Sequence, residues 1–154
     1  MNKRIQDILA LGRAGHETDR ARDCIALGIK CADELGDNVF DSCHLLAGLY
    51  REGNGVAYHV LDNFDVTRSQ IDAALATRER SSATDFRLDA DIATVFDGVL
   101  AAASEMSHSY IGTEHLLIGA TADTTKSAQL LTSFGLSPRD IENEVFYLLG
   151  HRLP

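Results

Sequence analysis

Apolar residues between Ala21 and Leu35 recur at steps of four and three: Ala21, Ile25, Gly28, Ala32 and Leu35. That spacing lays one apolar stripe along a helix and predicts an amphipathic helix over about residues 18–35. Thr18 stands where an N-cap belongs, and Gly36 follows the last apolar position as a stop signal. A shorter helix is predicted from about Asp41 to Arg51, burying Leu45, Leu46 and Leu49, with Glu52-Gly53-Asn54-Gly55 as the turn after it. Val56, Val60, Leu61 and Phe64 mark a third helix. Thr67-x-x-Gln70 is a capping box that opens a fourth, with Ile71 and Leu75 facing inward.

The same plan then runs a second time. His44-Leu45-Leu46 and Gly48 match His115-Leu116-Leu117 and Gly119 at an offset of 71. At that offset Ala21 meets Ile92, Ile25 meets Phe96, Ala32 meets Ala103 and Leu35 meets Met106. Downstream the offset becomes 70, pairing Phe64 with Phe134, Val66 with Leu136, Ile71 with Ile141 and Leu75 with Val145. The second copy carries its stripes at Ile92, Phe96, Val99, Ala103 and Met106, then at Leu116, Leu117 and Ala120, then at Ala128, Leu131 and Phe134. Ser137-Pro138 opens its last helix, along which Ile141, Val145 and Leu148 are expected to run inward until Gly150. Residues 3–13, with Ile5, Ile8 and Leu9, predict an additional short N-terminal helix. Two copies of one unit make the fold all-α: two pseudo-twofold-related four-helix repeats plus the extra helix. The boundaries are an extension over residues 1–16, repeat one over 17–77, repeat two over 88–150, and between them a connector over 78–87 with the polar composition of a mobile segment.

Length and composition fit that picture. The 154 residues are 45% hydrophobic and 24% charged, ordinary for a chain that folds around a core. The net charge of −9 argues against nucleic acid, whose phosphates require a basic face. It is spread evenly, with 8 basic and 12 acidic side chains in residues 1–77 and 6 and 11 in residues 78–154, so neither end reads as a charged tail. No apolar run approaches a membrane span, and the start Met1-Asn2-Lys3-Arg4-Ile5-Gln6-Asp7 has no signal-type apolar core. Three cysteines without a CxxC pair fit a reducing cytosol, so a cytoplasmic location is expected.

Catalytic signatures are missing. The sequence contains no GxxxxGK followed by Ser or Thr, no GxGxxG, no HExxH and no GxSxG. Histidines 16, 44, 59, 108, 115 and 151 never stand four apart on one helix, as a two-histidine metal site requires. No enzyme, cofactor or metal is expected.

Ile111-Gly112-Thr113-Glu114-His115-Leu116-Leu117, Arg51-Glu52-Gly53-Asn54-Gly55-Val56-Ala57 and Thr18-Asp19-Arg20-Ala21-Arg22 together resemble the Clp N-terminal domain of Clp/Hsp100 unfoldases, closest to the ClpC type. The resemblance covers about residues 17–150. It implies a protein-docking module whose partners are Clp ATPase or protease components, adaptors and tagged substrates, including substrates bearing phosphorylated arginine. This chain ends at Pro154, where the family's ATPase would begin, and so resembles a free-standing N-domain. An alternative role is a structural accessory subunit that docks on the Clp protease complex and governs its assembly.

By the same resemblance, each repeat has a Gly-Thr-Glu-His segment whose Glu receives a guanidinium. The second repeat keeps it as Gly112, Thr113, Glu114 and His115. The first departs, with Asp41, Ser42 and Cys43 before the retained His44. A helix-start Glu accepts parallel guanidinium N–H bonds, and amides of the first turn favour a phosphate. Glu114 and Thr113 are equally intelligible as ordinary capping residues. His44 and His115 read as structural groups that hydrogen-bond across the pseudo-twofold or back to a loop. Cys43 stands beside a helix start, where a thiol pKa can fall. Cys24 and Cys31 read as core residues. Tyr50, Tyr58 and Tyr110 are either exposed aromatic anchors or half-buried packing groups.

Overall fold

The computed structural model describes residues 3–12 and 16–150, and nine α-helices account for most of them. A short helix α1 (Lys3–Leu9) and a 3₁₀ turn (Ala10–Gly12) stand where the extra N-terminal helix is expected; residues 1, 2 and 13–15 lie outside the described residues. The first repeat comprises α2 (Asp19–Leu35), α3 (Ser42–Glu52), α4 (Val56–Asn63) and α5 (Arg68–Ala76). The second comprises α6 (Ala90–Glu105), α7 (Thr113–Gly119), α8 (Lys126–Ser133) and α9 (Pro138–Leu148).

The caps explain the boundaries. Thr18 Oγ1 accepts from Ala21 N at 3.1 Å to open α2, and Gly36 closes it at φ 73°. Thr67 and Gln70 cap α5 reciprocally, and Ser137 accepts from Asp140 N to open α9. The apolar stripes converge in one core in which Ile25, Leu45, Leu46, Leu61, Ile92, Phe96, Leu116 and Ile141 are essentially inaccessible to water. Leu148 departs from its expected inward position: it lies on the last turn of α9 at 38% exposure, and Leu149 packs against the core in its place.

Within each repeat the first two helices cross at very close range. Gly48 on α3 sits against the Cys24 carbonyl and Gly28 of α2, and Gly119 on α7 sits against Val95 and Val99 of α6 at the matching positions. A side chain at either glycine would strike backbone.

The repeats are also strapped together, which the helical periodicity does not announce. Strand β1 (Val39–Phe40) pairs in parallel with β2 (Arg87–Leu88), in register Phe40 to Leu88. At the pseudo-equivalent place Ile111 bridges Glu17 in parallel. Each repeat therefore pairs the segment entering its second helix with the segment leading into the other repeat. Asp89 N donates to Phe40 O at 2.8 Å and Thr18 N to Ile111 O at 2.9 Å.

The connector is tied down, contrary to its polar composition. Arg80 Nε donates to Leu35 O at 3.1 Å and its Nη1 to Leu75 O at 3.0 Å, while Asn38 Nδ2 donates to Ala83 O at 2.9 Å. The Leu35 and Leu75 carbonyls, at helix ends, lack intrahelical partners and so attract the Arg80 donors. Among the described residues no helix is long and apolar enough to cross a membrane.

Candidate functional site

Two hollows lie at pseudo-equivalent places, each where the start of the second helix of one repeat meets the lead-in of the other. The second-repeat hollow, about 300 Å³, is lined by Thr18, Arg20, Val56, Tyr110, Thr113 and Glu114, among others. The first-repeat hollow, about 430 Å³, is lined by Asp37, Asp41, Arg78, Arg80, Asp89 and Lys126, among others. Offsets of 71 and 70 set Tyr110 over Val39, Gly112 over Asp41, Glu114 over Cys43, Asp91 over Arg20 and Lys126 over Val56. The backbone is common to both and the chemistry is not.

In the second repeat, His115 is fully buried at the third position of α7, and its Nδ1 accepts the Gly112 N–H at 2.9 Å. That bond places the ring proton on Nε2, which donates to His108 Nδ1 at 2.8 Å. Burial lowers the His115 pKa, the Glu114 charge opposes the shift, and His108 adds to it. His108 stacks on Tyr110, with centroids 4.8 Å apart at 15°, and the Tyr110 hydroxyl donates to Glu114 Oε2 at 3.1 Å. Burial and the Glu114 charge raise the Tyr110 pKa, so this hydroxyl keeps its proton. Nitrogen and oxygen atoms of His108, Glu114 and His115 lie within 4.8 Å of one another, a separation that suits a metal ion. Coordination through His115 Nε2 would demand a lone pair where the ring carries its proton, and so would cost the Gly112 bond. The trio fits a hydrogen-bonded relay better than a ligand set.

Glu114 is only 5% exposed, and among the described residues its carboxylate has no ion-pair partner. Its chain folds back over Gly112, where a Cβ would collide with Oε1. A side chain at position 112 would oblige the flexible end of Glu114 to move. Thr113 Oγ1 accepts from Ala57 N at 3.2 Å, joining α7 to α4 across the repeats. Gly55 has no side chain to cap α4, so Thr113 Oγ1 takes only the Ala57 amide of the first turn at the rim of the hollow. Arg20, its side chain 62% exposed, stands nearby with Nε 3.7 Å from Glu52 Oε2.

The first-repeat counterpart is saturated. Asp41 accepts from Cys43 N at 2.9 Å and His44 N at 3.3 Å as the N-cap of α3, and its other oxygen takes the Arg78 guanidinium at 2.8 Å. His44 Nδ1 accepts from Asp41 N at 3.0 Å, so its Nε2 proton goes to Asp37 at 2.9 Å. Both repeat histidines thus bond inside their own repeat, with Asp37 in one standing where His108 stands in the other. Ser42 Oγ donates to Asp91 and accepts from Ser127 N at 2.8 Å. Lys126 Nζ pairs with Asp89 at 3.0 Å.

The cysteine at a helix start behaves opposite to the expectation from its position. Cys43 is 3% exposed, and burial, reinforced by the Asp41 charge, pushes its thiol up to about 12. Desolvation outweighs the helix-start effect. Cys24 and Cys31 are buried core thiols. Tyr50 and Tyr58 are half-buried and pack on each other at 5.2 Å, whereas Tyr110 is 37% exposed at the mouth of the second hollow. Arg78, which lines the first hollow, and Asp91, which binds Ser42 at the start of α3, escaped sequence reasoning; the offset of 71 that sets Asp91 against Arg20 was the available signal for the second of them.

Comparison with known proteins gives a consistent picture. The Clp repeat (R) N-terminal domain family matches residues 17–134. The chain is 33% identical over 134 residues to the "Probable ATP-dependent Clp protease ATP-binding subunit" of Chlamydia pneumoniae, covering 83% of this chain and 16% of that protein. It is 30% identical over 140 residues to the negative regulator of genetic competence ClpC/MecB of Bacillus subtilis, covering 88% of this chain and 17% of that protein. The chain therefore spans about one-sixth of the length of these relatives. The Hsp104 N-terminal domain of Candida albicans superposes with a TM-score of 0.72 at 15% identity, over 88% of this chain and 93% of that one. The N-terminal domain of the caseinolytic protease associated chaperone ClpD of Arabidopsis thaliana gives 0.69 at 22% identity, over 87% and 97%.

Proposed function

Because this chain belongs to the Clp repeat N-terminal domain family, we propose that it is a non-catalytic docking module of a Clp system, receiving adaptors or tagged substrates through the hollow of its second repeat. The observation that carries this reading is the Glu114 carboxylate: 5% exposed, held by one tyrosine hydroxyl, and without a cation beside it among the described residues. A buried carboxylate in that condition is costly unless a cation arrives to meet it. A guanidinium supplies two parallel N–H donors for the two oxygens. The first turn of α4, one of whose amides is taken by Thr113, and the Arg20 guanidinium line the same hollow and suit an anionic group carried by the same ligand. A phosphorylated arginine in a partner protein combines both. With only the second repeat keeping its Glu, the module offers one such site.

Calorimetry with free phosphoarginine tests the reading. Binding is expected for the wild type, with Glu114→Gln weakening it at least about tenfold through loss of a charge-assisted pair. Equal affinity in the two proteins removes Glu114 from the site, and failure of the wild type to bind removes phosphoarginine as its ligand.

A further inference from the structure

The first-repeat hollow already holds a guanidinium. Arg78, the second residue after α5, turns back so that its Nη1 meets Asp41 Oδ2 at 2.8 Å, and its side chain is 29% exposed. Asp41 is 4% exposed and lies at the floor of the hollow. Arg80 holds the same strand of chain in place by pairing with Asp37 at 3.3 Å and by donating to the Leu35, Leu75 and Arg78 carbonyls. Lys126 Nζ approaches the same Asp41 oxygen at 3.8 Å from the facing helix α8. The arrangement is specific to this repeat: at the offset of 70, Arg78 corresponds to Leu148 and Arg80 to Gly150. Leu148 is 38% exposed, and among the described residues no guanidinium pairs with Glu114.

We propose that Arg78 is a built-in ligand of the first-repeat hollow, an internal arginine seated on the carboxylate that the arginine side chain of a partner would engage, pinned there by Arg80. The first hollow is self-liganded and the second is open. The asymmetry stands on the first-repeat geometry and does not depend on what Glu114 binds. Room remains beside the seated side chain, since the hollow measures about 430 Å³ with Arg78 in place. Removing the Arg78 side chain therefore creates a guanidinium-shaped vacancy over a buried acid.

Chemical rescue reads this directly. Arg78→Ala in the full chain is expected to lower Tm by about 5 °C, because Asp41 loses its cation inside the fold. Ethylguanidinium at millimolar concentration should restore at least half of that loss, whereas ethylammonium at the same ionic strength should not. The restoration should vanish in Arg78→Ala combined with Asp41→Asn, and ethylguanidinium should leave the wild type unmoved. Equal shifts in the single variant, the double variant and the wild type overturn the proposal, as does an absence of rescue in a folded Arg78→Ala protein. Should that variant fail to fold, NMR of the wild type decides. Resolved, slowly rotating Arg78 Nη resonances that collapse in Asp41→Asn are expected, and a freely rotating Arg78 guanidinium overturns the proposal.

Discussion

Ser42 Oγ donates to Asp91 Oδ2 at 2.6 Å across 49 residues of sequence, and Ser42 N reaches Oδ1 of the same carboxylate at 3.2 Å. With Lys126 N donating to Asp91 Oδ2 at 3.1 Å, a single buried acid ties the starts of α3, α6 and α8 together. Burial raises the Asp91 pKa, opposed by the Ser42 and Lys126 bonds.

Asp91→Ala strands the two buried Ser42 donors and the half-buried Lys126 amide. Each unsatisfied buried group costs about 1–3 kcal/mol, so a loss of about 2–4 kcal/mol is expected in urea unfolding. The pseudo-equivalent Arg20→Ala, at an exposed side chain, should stay within about 0.5 kcal/mol of the wild type. Similar losses in the two variants would contradict the asymmetry.

Gly48→Ala and Gly119→Ala each place a methyl against the backbone of the preceding helix of the same repeat. Neither contact is with a flexible side chain that can swing away. Each substitution should cost about 3 kcal/mol or more by forcing the helices apart, read as a fall in the denaturant midpoint. Gly36→Ala is the control for mere loss of a glycine: its Cβ meets open space, and the left-handed conformation at φ 73° costs about 1–2 kcal/mol.

His115 supplies a pH dependence. Its folded-state pKa lies below the ordinary histidine value of about 6.5 because burial disfavours the charged ring. Between that ordinary value and the depressed one, the unfolded chain binds more protons than the folded protein, so stability falls as pH drops through the window. Above about pH 7.5 both states are neutral at this site and its contribution is constant. The difference in unfolding free energy between wild type and His115→Gln should therefore shrink on acidification from about pH 7.5 to about pH 5.5. Glutamine can still accept the Gly112 N–H while having no proton to gain. A difference that does not move with pH would place the titration elsewhere.

Cys43 should be inert. With its thiol raised to about 12 and its side chain buried, almost no thiolate is present at neutral pH. Native protein treated with iodoacetamide should remain unmodified at Cys43 by mass spectrometry and become fully alkylated in urea. Rapid native alkylation would show that α3 opens readily at its start.

The helices were legible in the chain because each stripe serves one core. Ile25, Leu45, Ile71, Ile92, Leu116 and Ile141 all face where their periodicity places them, and Thr18, Thr67 and Ser137 cap where local chemistry puts them. Resemblance identified Glu114, yet its condition as a buried carboxylate awaiting a cation depends on which side chains come near it, and that is a tertiary fact. Cys43 shows the same limit: a helix start lowers a thiol pKa and burial raises it, and sequence displays only the first. The strapping of Phe40 to Leu88 and of Ile111 to Glu17 involves too few residues to leave an alternating pattern. Leu148 misled because its stripe outlasts the core beneath it.

The crossed lead-in segments have a consequence for how such a protein comes into being. A single repeat, cut from its twin, presents two short backbone edges whose partners both lie on the other copy. Two copies can satisfy both by exchange, so carrying them in one chain replaces an encounter between molecules with a tether.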